Sequence, residues 1–212
     1  IQWYKKIREI IRNYPITDQK GCSICWSHAI STVIYLASSR IVGRTVESFS
    51  EIRQKLLQEF GSKSGQNVEK VMTKVLPKYH LHYEQVSSKG AMEAICKGRV
   101  CVSCFWLTGI QWFNFLQFYK NPLNKKRAIT SKDINRKPSM DELQGFELKD
   151  NGHAVVLIDS DINTWTFMNS WGENWADNGL FHVNKNAFDV VFYDVFWYEC
   201  DLTQREVAIW NE

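Results

Sequence analysis

From Trp26 onward the apolar positions Ala29, Ile30, Val33, Ile34, Ala37 and Ile41 recur at intervals of three and four. That is the period of one helix face, and Gly43 closes the run. The same spacing predicts a second helix after Ser50, with Ile52, Leu56 and Phe60 turned inward. A third carries Val68, Val71, Met72 and Val75 and ends before Pro77, and Met92 and Ile95 mark a short fourth. The pattern then changes. Arg99–Leu107 (RVCVSCFWL) and Ala154–Asp159 (AVVLID) are short apolar runs with the length of buried strands. Thr164–Met168 follows a tight turn at Ser160–Asn163, Gly179–Val183 makes another strand, and the aromatic-rich Val190–Tyr198 a last one. His80 and His82 fall in a further strand-like segment and read as surface residues, while His182 reads as structural. Residues 120–151 are polar with little periodicity and read as a long connection. The expectation is an α+β chain forming one domain over residues 1–212. A mainly helical lobe spans 10–105, a mainly β lobe spans 106–212, and a cleft lies between them.

Composition narrows the class without naming a chemistry. Of 212 residues, 44% are apolar, enough for a substantial core and unlike a disordered chain. No apolar run approaches the roughly 20 residues that span a bilayer. A net charge of +3 is too small to argue for a nucleic-acid partner. The exception is Lys120–Lys137, with seven basic residues against Asp133 alone, which reads as a solvated loop. Of the six cysteines, four stand in C-x-x-C pairs, Cys22 with Cys25 and Cys101 with Cys104. Such tight pairs are not the spacing of a disulfide framework. A four-thiolate zinc site fits poorly too, because Cys101 and Cys104 lie inside an apolar strand-like run rather than on knuckles, so no metal is expected. None of the fourteen asparagines carries an N-x-[ST] sequon. The opening on Ile1 is compatible with an upstream signal or pro-segment.

The stretch Asp18–Ala29 (DQKGCSICWSHA) places Cys25 where a loop turns into a helix, and the partial positive charge of a helix start favours thiolate over thiol. A thiolate nucleophile needs a base, usually histidine, and the base needs an orienting group. Asn151-Gly152-His153-Ala154 stands at the mouth of a strand, with His153 128 residues after Cys25. Asn169-Ser170-Trp171-Gly172 begins 16 residues after His153.

Together with Gln19 and Trp175-x-x-x-Gly179, these motifs stand in the order and spacing of the papain family of cysteine peptidases, which the chain resembles from Pro15 to Val183. The resemblance implies a two-lobed fold: a helical left lobe, an antiparallel β-barrel-like right lobe and an active-site cleft between. It implies Cys25 as nucleophile, His153 as its partner and then acid for the leaving amine, and Asn169 as the group holding the imidazole. Gln19 would form the oxyanion hole with the Cys25 N–H, and Trp171 would shield the His–Asn hydrogen bond. The implied reaction is hydrolysis of peptide bonds in a peptide or protein substrate, without a cofactor, by a monomer whose cleft accepts a pro-segment or protein inhibitor. The alternatives are a catalytically silent binding module of the same fold, and a thiol-dependent acyl transferase or deamidase.

The chain departs from the family pattern in three places. Ser23 replaces a cleft-lining glycine, and His28 replaces an aromatic residue. Lys63-Ser64-Gly65-Gln66 stands where the family has Cys-Asn-Gly-Gly, so Cys22 loses its disulfide partner. Gly65, Gln66 and Ser23 are the expected substrate-cleft residues, with Ser23 and Gln66 adding atoms to its wall. The family implies a lysosomal, vacuolar or secreted setting, whereas the missing disulfide partner and sequons point to a reducing compartment.

Overall fold

A computed structural model describes residues 10–11, 14–62 and 65–211 of the chain. Helix α1 (Cys25–Ser39) is buried almost all round. Helix α2 (Phe49–Phe60) opens on a capping box in which the Ser48 hydroxyl accepts from the Glu51 N–H and the Glu51 carboxylate accepts from the Ser48 N–H. Asn67 caps α3 (Val68–Val75), which a short 3₁₀ turn at Leu76–Tyr79 extends. Strand β1 (His82–Val86) leads to α4 (Ser88–Cys96) and then to β2 (Cys101–Leu107). After α5 (Gly109–Lys120) come β3 (Ala128–Ile129) and two one-turn helices, α6 (Ser131–Ile134) and α7 (Met140–Leu143). The chain then runs through β4 (Asn151–Ser160), β5 (Thr164–Met168), β6 (Leu180–Asn184) and β7 (Val190–Phe196) to α8 (Gln204–Asn211).

Among the described residues, seven strands join one sheet in the order β1-β7-β2-β4-β5-β6-β3, antiparallel except for β3 beside β6. Alternation along each strand gives the sheet two apolar faces. Val102, Ala154, Val156, Met168, Tyr193 and Val195 pack with α1, α2 and α3 on one side. Cys101, Phe105, Leu107, Val155, Phe167 and Phe181 pack with Trp112, Phe115 and Tyr119 of α5 on the other. The sheet is thus the shared wall of two cores. Each large side chain taken out of water there contributes about 1.5–3 kcal/mol.

The arrangement adds detail that the pattern of apolar positions leaves open. The barrel-like curvature stops short of closure, because β3 has only two residues and β1 pairs with β7 at the far end. Strand β2 lies between β7 and β4, and β1, from the helix-rich first half of the chain, belongs to the same sheet. Residues 109–120 form a helix in which Trp112, Phe113, Asn114, Phe115, Phe118 and Tyr119 are buried around most of the circumference. The polar connection 120–151 holds the short elements β3, α6 and α7, each helix fixed by its own capping box. Lys63 and Ser64 lie outside the described residues. No described helix is long and apolar enough to cross a membrane.

His28 lies within the α1 core, 3% exposed, with Nδ1 2.7 Å from the Thr17 hydroxyl and the ring tilted against Phe49. Burial, helped by Arg53 and partly opposed by Asp18, lowers its pKa to about 4. The unfolded chain therefore binds a proton that the folded chain refuses between about pH 6.5 and 4, so stability falls on acidification through that window. Replacing His28 by Phe is expected to remove roughly 3 kcal/mol of acid sensitivity. Denaturant midpoints at pH 7 and pH 4.5 measure it; an equal drop in parent and His28→Phe chains would assign the acid sensitivity elsewhere.

Candidate active site

The loop before α1 is shaped by its own backbone. The Lys20 N–H donates to the Asp18 carboxylate at 2.8 Å, and Gly21 takes φ +73°, a conformation that glycine adopts without strain. The turn delivers Ile24, which has no side-chain oxygen, to the cap of α1. The Ser27 N–H donates to the Ile24 carbonyl at 3.0 Å, and with no side-chain cap the Cys25 and Trp26 N–H groups are left to other acceptors. The Trp26 N–H serves the Cys25 sulfur, and the Ala154 N–H reaches it from β4. Burial raises the Cys25 pKa, but the hydrogen bond and charge of His153, with those two N–H groups, outweigh it. The thiol is held below its ordinary range.

His153 comes from the start of β4, opposite Phe105 of β2 in the ladder. Its ring meets Trp171 at 4.9 Å, Phe105 at 5.7 Å and Trp112 at 6.0 Å between centroids. Asn169 follows β5, and its N–H donates to the Gly179 carbonyl. The Asn169 Oδ1 accepts from the Ser170 N–H at 2.9 Å and lies 2.8 Å from His153 Nε2. An oxygen already accepting one N–H calls for a second donor, so Nε2 carries its proton and Nδ1 is left for Cys25. His153 and Asn169 are 7% and 2% exposed, so this hydrogen bond lies in a poorly solvated aromatic surround.

Gln19 is fixed from three sides. Its N–H donates to the Ser170 carbonyl at 2.8 Å, its Oε1 accepts from the Ser170 hydroxyl at 2.6 Å, and its Nε2 donates to the Cys22 carbonyl at 2.7 Å. A second hydrogen on that amide has no partner among the described residues, and Gln19 lines the smaller cavity with Cys25, His153 and Trp171. The Cys25 N–H has no backbone acceptor among the described residues.

Cys25 and His153 stand where two cavities meet, one of about 650 Å³ and one of about 390 Å³, with Gly65 and Gly152 lining both. The structure thus gathers Cys25, His153, Asn169, Gln19 and Trp171 into one site. Ser23 is exposed at the smaller cavity, and Gln66 lines the larger one. The Gln66 amide is turned back to donate to the Phe60 carbonyl at 2.8 Å. Cys22 is a free, exposed thiol, and Cys101 and Cys104 project into opposite cores from β2, too divergent to share a ligand. Cys104 lines the larger cavity, where burial, with the nearby Cys25, pushes its thiol up to about 12.

Sequence reasoning missed Trp112, whose ring packs on both His153 and Trp171 and whose indole N–H donates to the Asn151 carbonyl at 3.0 Å. Its helix was legible only from the Thr108–Gln111 capping box. Trp106, Tyr193, Glu147 and Lys149 also line the two cavities, with no motif to mark them.

No family model matches the chain. A stretch of 43 residues is 49% identical to the viral cathepsin of Spodoptera litura multicapsid nucleopolyhedrovirus, covering 18% of this chain and 13% of that protein. A stretch of 38 residues is 42% identical to the viral cathepsin of Autographa californica nuclear polyhedrosis virus, covering 16% of this chain and 12% of that one. These matches span about an eighth of the relatives' length. The likeness in structure is far more extensive. Xylellain, a cysteine protease from Xylella fastidiosa, superposes with a TM-score of 0.58 at 15% identity, over 88% of this chain and 84% of that one. The fold is papain-like.

The lowered Cys25 pKa has a direct readout. Alkylation of Cys25 by iodoacetamide is expected to remain fast well below pH 8.5, the ordinary thiol value, and to lose that advantage in His153→Ala. Peptide mapping resolves Cys25 from Cys22. Faster labelling of Cys22 at pH 6 would contradict the pairing of Cys25 with His153.

Proposed function

We propose that the chain is a thiol peptidase that cleaves peptide bonds through an acyl-thioester on Cys25. The observation that carries this reading is the placement of one imidazole between two partners. Nε2 is held by Asn169 at 2.8 Å while the opposite edge serves the Cys25 sulfur. In this mechanism the Cys25 sulfur attacks the substrate carbonyl carbon, and the carbonyl oxygen takes the negative charge. The free amide hydrogen of Gln19 and the Cys25 N–H receive that oxyanion. His153, charged by the thiol's proton, gives it to the departing amine nitrogen as the C–N bond breaks. Water then enters with His153 as base, the thioester C–S bond breaks, and the carboxylic product leaves the thiol regenerated.

Asn169 keeps the ring in register and in one tautomer, so that proton transfer needs no reorientation. Trp171, its ring tilted over the imidazole at 4.9 Å, keeps water from the Asn169 bond. No step needs a metal or an organic cofactor. Ser23, Gly65 and Gln66 belong to the substrate cleft. The turned-back Gln66 amide and the two open cavities leave room for a peptide on both sides of the sulfur, which favours an enzyme over a silent binding module.

A thiol-directed epoxide is expected to label Cys25 stoichiometrically in the parent chain and not in His153→Ala. Peptides incubated with the parent chain should gain a water across one bond. Transfer of the acyl group to an added amine without hydrolysis would instead make the protein a transferase.

The supporting residues separate by kinetics. Gln19→Ala is expected to lower kcat by roughly 10²-fold, because its amide meets a charge present only in the transition state. Asn169→Ala should lower kcat by a comparable factor, on the order of 10², with little change in epoxide labelling. Variants that raise KM alone would make both residues substrate binders and leave the oxyanion without its donor.

A further inference from the structure

We propose that the larger cavity beside Cys25 selects a lysine or arginine side chain of the substrate; this rests on the thiol-peptidase reading and names its substrate class. The cavity wall is apolar where Val68, Ala154, Val191 and the Tyr193 ring face it. Besides the Cys25–His153 pair, Cys104 and Tyr193, its ionisable groups are the carboxylates of Glu69 and Asp189. No lysine or arginine lines it among the described residues, and neither carboxylate enters an ion pair there. The smaller cavity on the other side of the sulfur is different, since Glu147 and Lys149 offset one another. The two halves of the cleft therefore carry unequal charge.

Each carboxylate has a local reason to stand where it does. Glu69 occupies the first turn of α3, where the helix dipole stabilises a negative charge, and Asp189 precedes β7. Both are exposed at the rim rather than buried. Burial raises the Tyr193 phenol, and Cys104 and then Glu69 add to that, so the Glu69 charge is felt inside the cavity. A long basic side chain matches this layout. Its methylenes cover Val68, Ala154 and Val191 while its cationic head stays at the wet rim between two acceptors. An acidic side chain would bring a third negative charge to the same rim, and an apolar one would gain contact without charge pairing.

Cleavage of a mixed peptide library, read by mass spectrometry on both sides of each cut, is the test. Lysine and arginine are expected to be enriched at one position within two residues of the cut bond. The kcat/KM ratio of a lysine peptide to its norleucine counterpart is expected to be roughly tenfold, falling as salt is raised. The Glu69→Gln, Asp189→Asn double variant should bring that ratio towards one, and Glu69→Lys, Asp189→Lys should turn the preference towards acidic peptides. A ratio untouched by either variant, or enrichment of apolar residues alone, would overturn the proposal. If no peptide is cleaved at all, the peptidase reading fails and the charge of the cavity is still measurable. Cys25 should then react several-fold faster with a trimethylammonium-ethyl methanethiosulfonate than with the sulfonatoethyl reagent, and the neutralised double variant should lose that difference. Equal rates in parent and variant would overturn the charge assignment itself.

Discussion

Everything at the site depends on a short antiparallel pairing between two loops that are 150 residues apart in the chain. The Gln19 N–H donates to the Ser170 carbonyl and the Gly172 N–H to the Thr17 carbonyl, with the Ser170 hydroxyl tying down the Gln19 amide. One loop ends in α1, which bears Cys25, and the other carries Asn169 and Trp171. Neither α1 nor β5 alone could hold a sulfur, an imidazole and an amide to the tolerance that proton transfer needs. The pairing makes a single rigid unit of them, while β4, lying between α1 and β5, supplies His153.

The surround then sets the strength of each interaction. His153 faces rings on three sides, so its bond to Asn169 is made in a medium much less polar than water. The same burial would by itself raise the Cys25 pKa. It is overcome because the uncapped first turn of α1, the Ala154 N–H and His153 all stabilise the anion. A serine or aspartate at position 24 would compete for the N–H groups that the sulfur uses, so the weak helix cap is part of the chemistry.

How much of this was legible follows from how local each signal is. Cys25, His153, Asn169, Gln19 and Trp171 announced themselves through spacing and dipeptide context, and the structure brings those five together. The strands of the second half lie within a sheet, and α2 to α4 each bury one face. Helix α1, buried almost all round, keeps a readable period because Ser27, Ser31, Thr32 and Ser38 alternate with its apolar positions. Helix α5 does not, since it is wrapped in aromatic side chains and polar Asn114, which is itself buried and donates to the Ile134 and Arg136 carbonyls. An apolar pattern on all sides has no period to read. The open sheet and the position of β1 were equally hidden. Both depend on which distant strand β1 finds, β7, more than 100 residues away. Glu69 and Asp189 left no trace as a pair, because only folding brings residue 69 and residue 189 to one cavity.

Precision at the site is held against backbone strain. Ala176 and Asn178 adopt positive φ within the loop that links Trp171 to β6, and Gly172 and Gly179 do so at its ends. Conformations of this kind cost about 1–3 kcal/mol at a non-glycine residue and persist only where packing over-determines them. Here the packing is identifiable. The space a Cβ on Gly179 would need is taken by Ile16, whose Cγ2 would lie far inside contact distance, and the Gly179 carbonyl holds the Asn169 N–H. Trp175 wedges between Trp171 and Phe115, joining the loop to the α5 core. The loop that leads on from Asn169 is thus clamped by Ile16, from the segment before Cys25, and by the aromatic core behind it. The strain in that loop and the order of the site have one origin: an irregular segment held between two cores that share the sheet.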